Sequence, residues 1–202
     1  MPAQLIDGKA IAETIRNEIK AEVEAMRQQH GKVPGLATVL VGDRKDSQAY
    51  VRSKKKACAD VGITSFGHNL LGDISQADLL AVVRDLNANP EVHGILVQLP
   101  LPDHIDDEEI LGAISIEKDV DGFHPLNIGR LSMKRREPLY VPCTPRGCIE
   151  LLLRMNIPIA GKEAVVLGRS NIVGLPVAML LLHQNATLTI CHSRTQDLPS
   201  VV

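Results

Sequence analysis

Two groups of residues in this sequence have types and spacing suited to chemistry, and the first is Tyr50 with Lys54. They stand four residues apart in the segment AYVRSKKKACADVG, so on a helix both side chains project from one face and can border the same pocket. A lysine that is partly removed from water can lose its proton near neutral pH and transfer protons. The alternative is that the whole basic run is the solvated face of a helix. In either case we expect Lys55 and Lys56 to be solvated charges.

The second group is the loop GRSNIVG, from Gly168 to Gly174. It follows the strand-like run EAVVL and opens a helix-like segment, so free backbone N–H groups at the helix N-terminus are expected to face a pyrophosphate. Ser170 occupies the place of the second glycine in the standard dinucleotide-binding pattern, which makes the loop a weak signal when taken alone. The alternative is a purely structural turn between a strand and a helix.

The end of the next strand predicts which nucleotide this loop would bind. In NAD-specific sites an acidic residue, roughly 20 residues after the glycines, meets the ribose 2′-hydroxyl. Here the strand ends in CHSRT, without a carboxylate. Arg169, Ser193 and Arg194 can pair with a 2′-phosphate instead, because guanidinium groups match phosphate oxygens. The sequence therefore favours NADP over NAD, the alternative being that these arginines are ordinary exposed loop residues.

Composition limits the classes of function. The chain has 202 residues, 45% of them hydrophobic, which is enough for a buried core. Its 22 basic and 24 acidic residues give a net charge of −2, so no overall positive field attracts nucleic acid or anionic lipid. Aromatic residues make up 2% of the chain and tryptophan is absent, which argues against a base-stacking surface. We expect neither a nucleic acid nor a membrane as partner.

Cysteine usage and the N-terminus favour a cytoplasmic protein. The four cysteines, Cys58, Cys143, Cys148 and Cys191, form no metal-binding spacing, so we expect reduced thiols and no metal. The first residues lack the apolar core of a secretory signal, and no apolar run near 20 residues follows. The histidines at positions 93, 104, 124 and 192 have no evident partner, and we assign them no catalytic role.

The elements that must position these residues follow from hydrophobic periodicity. The first half reads as helix 8–29, strand 36–42, a helix capped by Asp46 or Ser47 and ended by Gly62, strand 65–71, a helix opened by Ser75, and a buried strand in HGILVQLPLP. Strands that alternate with helices predict a mainly parallel sheet covered by helices.

The second half predicts a connecting helix and part of a nucleotide-binding domain. Thr144 is expected as the N-cap and Pro145 as the first residue of a helix that ends near Met155. The strand, loop, helix and strand after it form half of a dinucleotide-binding unit, with two strands where a doubly wound sheet has about five or six. We predict an α/β protein with a substrate domain at 1–142, followed at 143–202 by a linker helix and an incomplete Rossmann-type NADP-binding domain.

The motifs in order resemble the bifunctional methylenetetrahydrofolate dehydrogenase/cyclohydrolase family over essentially the entire chain. They are SQAYVRSKKKA, HGILVQLPLP, KDVDGFHPLNIGRL, VPCTPRGCIELL, GRSNIVGLP and CHSRT. The resemblance implies oxidation of 5,10-methylenetetrahydrofolate with NADP⁺, hydrolysis of the methenyl product to 10-formyltetrahydrofolate, and a homodimer. Because the family's nucleotide domain continues past this point, we expect a C-terminally truncated chain. The alternative is a catalytically incomplete form that binds folate or pairs with full-length subunits.

The resemblance also implies roles for individual residues. Lys54 matches the catalytic lysine, Gln98 the glutamine that positions it, Tyr50 the tyrosine that packs on the folate ring, and Asp121 the aspartate that grips the pterin. A carboxylate can accept two hydrogen bonds from the pterin's amino group and ring N–H, although Asp121-Gly122 also fits a plain turn. The remaining expected substrate contacts are Val51, Arg52, Ser53, Val97 and Leu99, and the expected cofactor contacts are Gly168, Arg169, Ser170, Ser193 and Arg194.

Overall fold

A computed structural model of the chain describes residues 3–202 and shows helices alternating with parallel strands. In chain order the elements are α1 (Gly8–His30), β1 (Gly35–Val41), α2 (Lys45–Val61), β2 (Thr64–Leu70), α3 (Gln76–Ala88), β3 (Gly94–Val97), α4 (Asp107–Gly112), α5 (Pro125–Leu131), α6 (Cys143–Arg154), β4 (Glu163–Leu167), α7 (Gly174–His183), β5 (Thr187–Cys191) and α8 (Leu198–Val201). The predicted α/β class is confirmed.

The described residues form two compact units. One is Ala12–Val120, and the other combines the residues up to Ile11 with Asp121–Val202. The division falls within α1 and again just before Asp121, whereas the predicted boundary lies between residues 142 and 143. That boundary separates a substrate domain from a cofactor domain by function, and it stays a prediction.

The Ala12–Val120 unit is built on a three-stranded parallel sheet in the order β2-β1-β3. On one face of the sheet, the buried side chains of β1 and β3 pack with Leu79 and Val83 of α3 and Ile110 of α4. Helix α2 packs on β1 and β2 and buries Val51 and Val61. Since successive strand residues point to opposite faces, the β3 chain presents Val97 to the α3 core and Gln98 to the side of α2.

The helix boundaries follow local chemistry, with two corrections to the expected caps. Gly62 ends α2 in the left-handed conformation at φ 85°, which glycine adopts without strain, and the Ser75 hydroxyl accepts a hydrogen bond from Asp78 N at the start of α3. Asp46 and Ser47 do not cap α2, because the helix already begins at Lys45. The carboxylate of Asp46 instead bonds Arg44, which lowers the pKa of Asp46 to about 2.

The second correction concerns α6. This helix begins at Cys143 with Pro142 in the N-cap position, so Thr144 is not its N-cap and Pro145 is its third residue. The expected end near Met155 is confirmed, since Met155 is the C-cap. Proline is tolerated anywhere in the first helical turn because the N–H that it lacks has no intrahelical acceptor there. A proline in the sequence therefore locates the start of a helix only to within a residue or two.

Lys118 links the segment that follows α4 to the C-terminal end of α3 through hydrogen bonds. Its Nζ donates to the carbonyl oxygens of Leu86, Asn87 and Asn89 at 3.1, 2.8 and 2.8 Å. These groups belong to the negative end of the α3 dipole, where a cation is stabilising. Burial lowers the pKa of Lys118. The lysine thereby fixes the chain shortly before it reaches Asp121.

The second unit contains the parallel pair β4-β5. Helix α7 packs against both strands, and α5 and α6 pack against α7. The first turn of α7 comes very close to the loop after β4: a Cβ atom at Gly174 would lie 2.5 Å from the carbonyl oxygen of Gly168. Glycine is required there because its missing side chain permits this contact between helix and loop.

Candidate active site and cofactor-binding loop

The Lys54 side chain meets Gln98 across the gap between α2 and the end of β3. Nζ of Lys54 donates to Oε1 of Gln98 at 3.1 Å, and Nε2 of Gln98 donates to the carbonyl oxygen of Leu99 at 2.8 Å. An amide has one acceptor end and one donor end, so the bond to Leu99 turns the oxygen toward Lys54. The lysine is half-buried, and it is held by a neutral acceptor rather than by a carboxylate.

Tyr50 lies one helical turn before Lys54 on α2, as predicted. Its side chain is 64% exposed, so the ring offers a flat apolar face. Among the other expected substrate contacts on this helix, Val51 is buried whereas Arg52 and Ser53 are exposed. Val97, on β3, belongs to the core that packs against α3.

The neighbouring lysines differ from each other. Lys56 is exposed, as expected of a solvated charge. Lys55 is half-buried, and its side chain covers Gly67 of β2 so closely that a Cβ atom there would overlap it. The expectation that Lys55 is only a solvated charge is therefore wrong. The end of its side chain, Cε and Nζ, lies over the backbone of this edge strand.

Asp121 has a thiol beside its carboxylate. Sγ of Cys143, the first residue of α6, donates to Oδ1 of Asp121 at 3.8 Å. Nothing in the sequence links these two residues, because 22 positions separate them and neither spacing nor periodicity relates a turn to a later helix start. Asp121 is half-buried, so the carboxylate remains partly accessible.

The loop after β4 differs from expectation at the start of α7. The hydroxyl of Ser170 accepts hydrogen bonds from Val173 N and Gly174 N, both at 3.2 Å, and its carbonyl oxygen accepts from Leu175 N. The next residue, Pro176, has no N–H. The expected free N–H groups at this helix N-terminus are therefore already bonded, and Ser170 stabilises the loop by capping the helix.

Two arginines near this loop, Arg169 after β4 and Arg194 after β5, are accessible to a ligand. In the part of the chain that the structure describes, no hydrogen bond or ion pair engages the guanidinium groups of Arg169 and Arg194, and both side chains are exposed. Strand pairing of Leu167 with Cys191 and a 2.8 Å hydrogen bond from Gly168 N to Cys191 O bring the two strand ends together. A cavity of about 260 Å³ opens there, lined by Leu167, Gly168, Cys191, His192, Ser193 and Leu198.

Comparison with known proteins identifies the family. Residues 6–121 match the catalytic domain of tetrahydrofolate dehydrogenase/cyclohydrolase, and residues 142–202 match the NAD(P)-binding domain of the same enzymes. The chain belongs to this family. The predicted family membership is thereby confirmed, and the chain contains a match to both domains of these enzymes.

Individual relatives agree with this assignment. Bifunctional protein FolD 2 of Arabidopsis thaliana is 64% identical over 99% of this chain and 67% of its own length. The chloroplastic FolD 4 of the same plant is 63% identical over 96% of this chain and 54% of its own. The structure of the Trypanosoma brucei dehydrogenase-cyclohydrolase, complexed with NADP and an inhibitor, superposes with a TM-score of 0.94 at 45% identity, covering 100% of this chain and 68% of that one. The chain thus spans between about half and two thirds of the length of these relatives.

Two further properties concern the described residues as a whole. No helix between residues 3 and 202 has the length and apolar character needed to cross a membrane. Within the same range, no three His, Cys, Asp or Glu side chains gather closely enough to hold a metal ion.

Proposed function

We propose that the Lys54–Gln98 pair hydrolyses 5,10-methenyltetrahydrofolate to 10-formyltetrahydrofolate. Water adds to the carbon that bridges two nitrogens, forming a new C–O bond. The bond from that carbon to N5 then breaks, and one proton is released overall. An amine within hydrogen-bond reach of the incoming water can take up and return protons during these steps. The observation that carries the proposal is the 3.1 Å bond of Lys54 to a neutral amide whose orientation Leu99 fixes.

The neutrality of Gln98 supports this role. A carboxylate in its place would stabilise the protonated lysine and hold the proton there. The amide positions the amine without that effect, because its oxygen carries only a partial charge. Tyr50 would then supply an exposed ring for the folate to pack on, and Asp121 would accept hydrogen bonds from the amino group and ring N–H of the pterin.

We also propose that the chain binds NADP through the ends of β4 and β5. The family's second domain binds NAD(P), and the residues present fit the 2′-phosphate form. Arg169 and Arg194 are exposed cations without an ion-pair partner among the described residues, and no acidic residue follows β5 where an NAD-specific site would have one. When bound, the nicotinamide accepts the hydride removed from 5,10-methylenetetrahydrofolate. Gly174 permits the close approach of helix and loop that such a site needs, and Gly168 adopts a φ of 124° that other residues rarely adopt.

The two activities place different demands on the chain. Hydrolysis depends on Lys54 and Gln98, which both lie within the Ala12–Val120 unit. Hydride transfer requires the nicotinamide to be held close to the substrate carbon, and this chain contributes two strands to the sheet of the cofactor domain. We therefore propose that hydrolysis is the more robust activity. The second candidate is a chain that binds folate, or pairs with longer subunits, without turnover.

One experiment distinguishes these candidates. The purified chain is given 5,10-methenyltetrahydrofolate and the loss of its absorbance is followed; in parallel, tetrahydrofolate, formaldehyde and NADP⁺ are supplied and NADPH is measured. Methenyl hydrolysis above the uncatalysed rate supports the proposal, whether or not NADPH forms. Folate binding without hydrolysis supports the second candidate instead.

A homodimer and a cytoplasmic location complete the proposal. Both rest on what the family resemblance and the composition predict. Light scattering on the purified chain tests the first, and fractionation of cells that express it tests the second.

A further inference from the structure

The four residues after β5 form a turn closed by three hydrogen bonds. Thr195 N donates to His192 O at 2.8 Å, which defines a β-turn with Ser193 and Arg194 in its two central positions. The Thr195 hydroxyl accepts from His192 N at 2.8 Å. Nδ1 of His192 accepts from Arg194 N at 3.1 Å.

These hydrogen bonds fix the backbone of Ser193 and Arg194 without using the side chains of either residue. The backbone N–H of His192 is bonded by the Thr195 side chain, and the Arg194 N–H is bonded by the His192 ring. The side chains of Ser193 and Arg194 are exposed. The turn therefore presents a hydroxyl and a guanidinium group from a backbone that is already ordered, which reduces the entropy lost when a ligand binds.

The turn also lies at the mouth of the cavity between the two strand ends. His192 and Ser193 line that cavity together with Gly168, and Gly168 N is bonded to Cys191 O, one residue before the turn. Arg169 follows Gly168 directly. Arg169 and Arg194 thus extend from two loops that the β4-β5 pairing holds side by side.

We propose that Thr195 is a positioning residue that determines the preference for a 2′-phosphate. Its hydroxyl holds the His192–Thr195 turn in the shape that presents Ser193 and Arg194 to the phosphate, and Thr195 itself contacts no ligand. Adenine and ribose would still enter the cavity without this hydroxyl, but the phosphate would meet a disordered pair of side chains. The inference rests on the proposed NADP site, and it adds a residue that the expected cofactor contacts did not include.

The test measures binding of two nucleotides by isothermal titration calorimetry. The probes are 2′,5′-ADP, which carries the 2′-phosphate, and 5′-AMP, which differs from it only by lacking that phosphate. The proteins are the wild-type chain, Thr195→Val, which keeps the side-chain shape but removes the hydroxyl, and Thr195→Ser, which keeps the hydroxyl. Thr187→Val, at the exposed start of β5, is the matched control.

We expect Thr195→Val to raise the dissociation constant of 2′,5′-ADP about tenfold, which is the effect of losing about one hydrogen bond, while the dissociation constant of 5′-AMP changes less than twofold. Thr195→Ser and Thr187→Val should keep the wild-type ratio of the two affinities. An unchanged ratio in Thr195→Val, or an equal loss of both nucleotides, overturns the positioning role. If the wild-type chain itself does not prefer 2′,5′-ADP, the proposed NADP site fails and the inference fails with it.

Discussion

Nζ of Lys54 lies 3.1 Å from Oε1 of Gln98, although 44 residues separate the two positions in the chain. The contact exists because α2 packs along the sheet and because β3 alternates its side chains between the two faces. One residue of slip in β3 would turn Gln98 away from α2 and bring Val97 in its place. The pairing of Val39 with Val97 in the sheet register therefore fixes the partner of the lysine.

Replacing Lys54 by Met should abolish most of the hydrolysis. The variant keeps an unbranched side chain of similar length but loses the amine, and removal of a general acid–base group costs about 10²- to 10⁴-fold in rate. The measurement is the initial rate of methenyltetrahydrofolate hydrolysis. Lys56→Met is the matched control, because Lys56 is exposed on the same helix. Equal rates in Lys54→Met and wild type would remove Lys54 from the mechanism.

Changing Gln98 to Glu should move the pH dependence of hydrolysis. The new carboxylate would lie about where Oε1 now accepts the lysine bond and would stabilise the ammonium form. If neutral Lys54 takes up a proton in the reaction, the rising part of the pH–rate profile should shift upward by about 1 pH unit or more. Gln98→Met, which has no acceptor, should lower the rate without an upward shift. A profile for Gln98→Glu that coincides with wild type would contradict the assigned pairing.

The sequence predicted local structure well where the signal is local. The two strands expected at 36–42 and 65–71 are β1 and β2, and each begins and ends one residue earlier than predicted. Gly62 was predicted to end α2, and it does so in the left-handed conformation that favours glycine. The start of α2 was misplaced because Asp46 bonds Arg44 and Ser47 N inside the first turn, using the same carboxylate chemistry that a cap would use.

The site required information that spacing does not contain. The helical period places Tyr50 and Lys54 on one face, but only the family resemblance linked Lys54 to Gln98. Ser170 shows a second case: its expected contact with the cofactor stays a prediction, while the structure shows a capping role that the pattern did not indicate, because its hydroxyl accepts from Val173 N and Gly174 N. The partner of a small hydroxyl depends on loop geometry, which the pattern of residue types leaves undetermined.

Substituting Gly174 by Ala should destabilise the cofactor-binding unit. The added Cβ would lie 2.5, 2.7 and 2.8 Å from backbone atoms of Gly168 and Arg169, and backbone cannot move aside as a flexible side chain can. We expect a loss of about 1–3 kcal/mol in the free energy of unfolding, as for other overpacked sites. Gly147→Ala is the control. Gly147 lies inside α6, and a Cβ atom added there would have nothing within 4 Å. The free energy of unfolding of this variant should therefore rise by about 0.5–1 kcal/mol. Urea denaturation of both variants gives the comparison, and equal stability of the two would refute the close approach at Gly174.

The four cysteines should divide into two reactivity classes. Cys143 and Cys148 are exposed, whereas Cys58 and Cys191 are buried. Burial also raises the pKa of Cys58, and a raised pKa means less thiolate, the reactive form, at any pH below it. With an aromatic disulfide reagent at pH 8, two thiols should react quickly in the native chain and the other two only after unfolding. Cys148→Ser should remove one fast equivalent and leave the slow pair unchanged. Four fast equivalents in the native chain would mean that the cores around Cys58 and Cys191 open more readily than their burial implies.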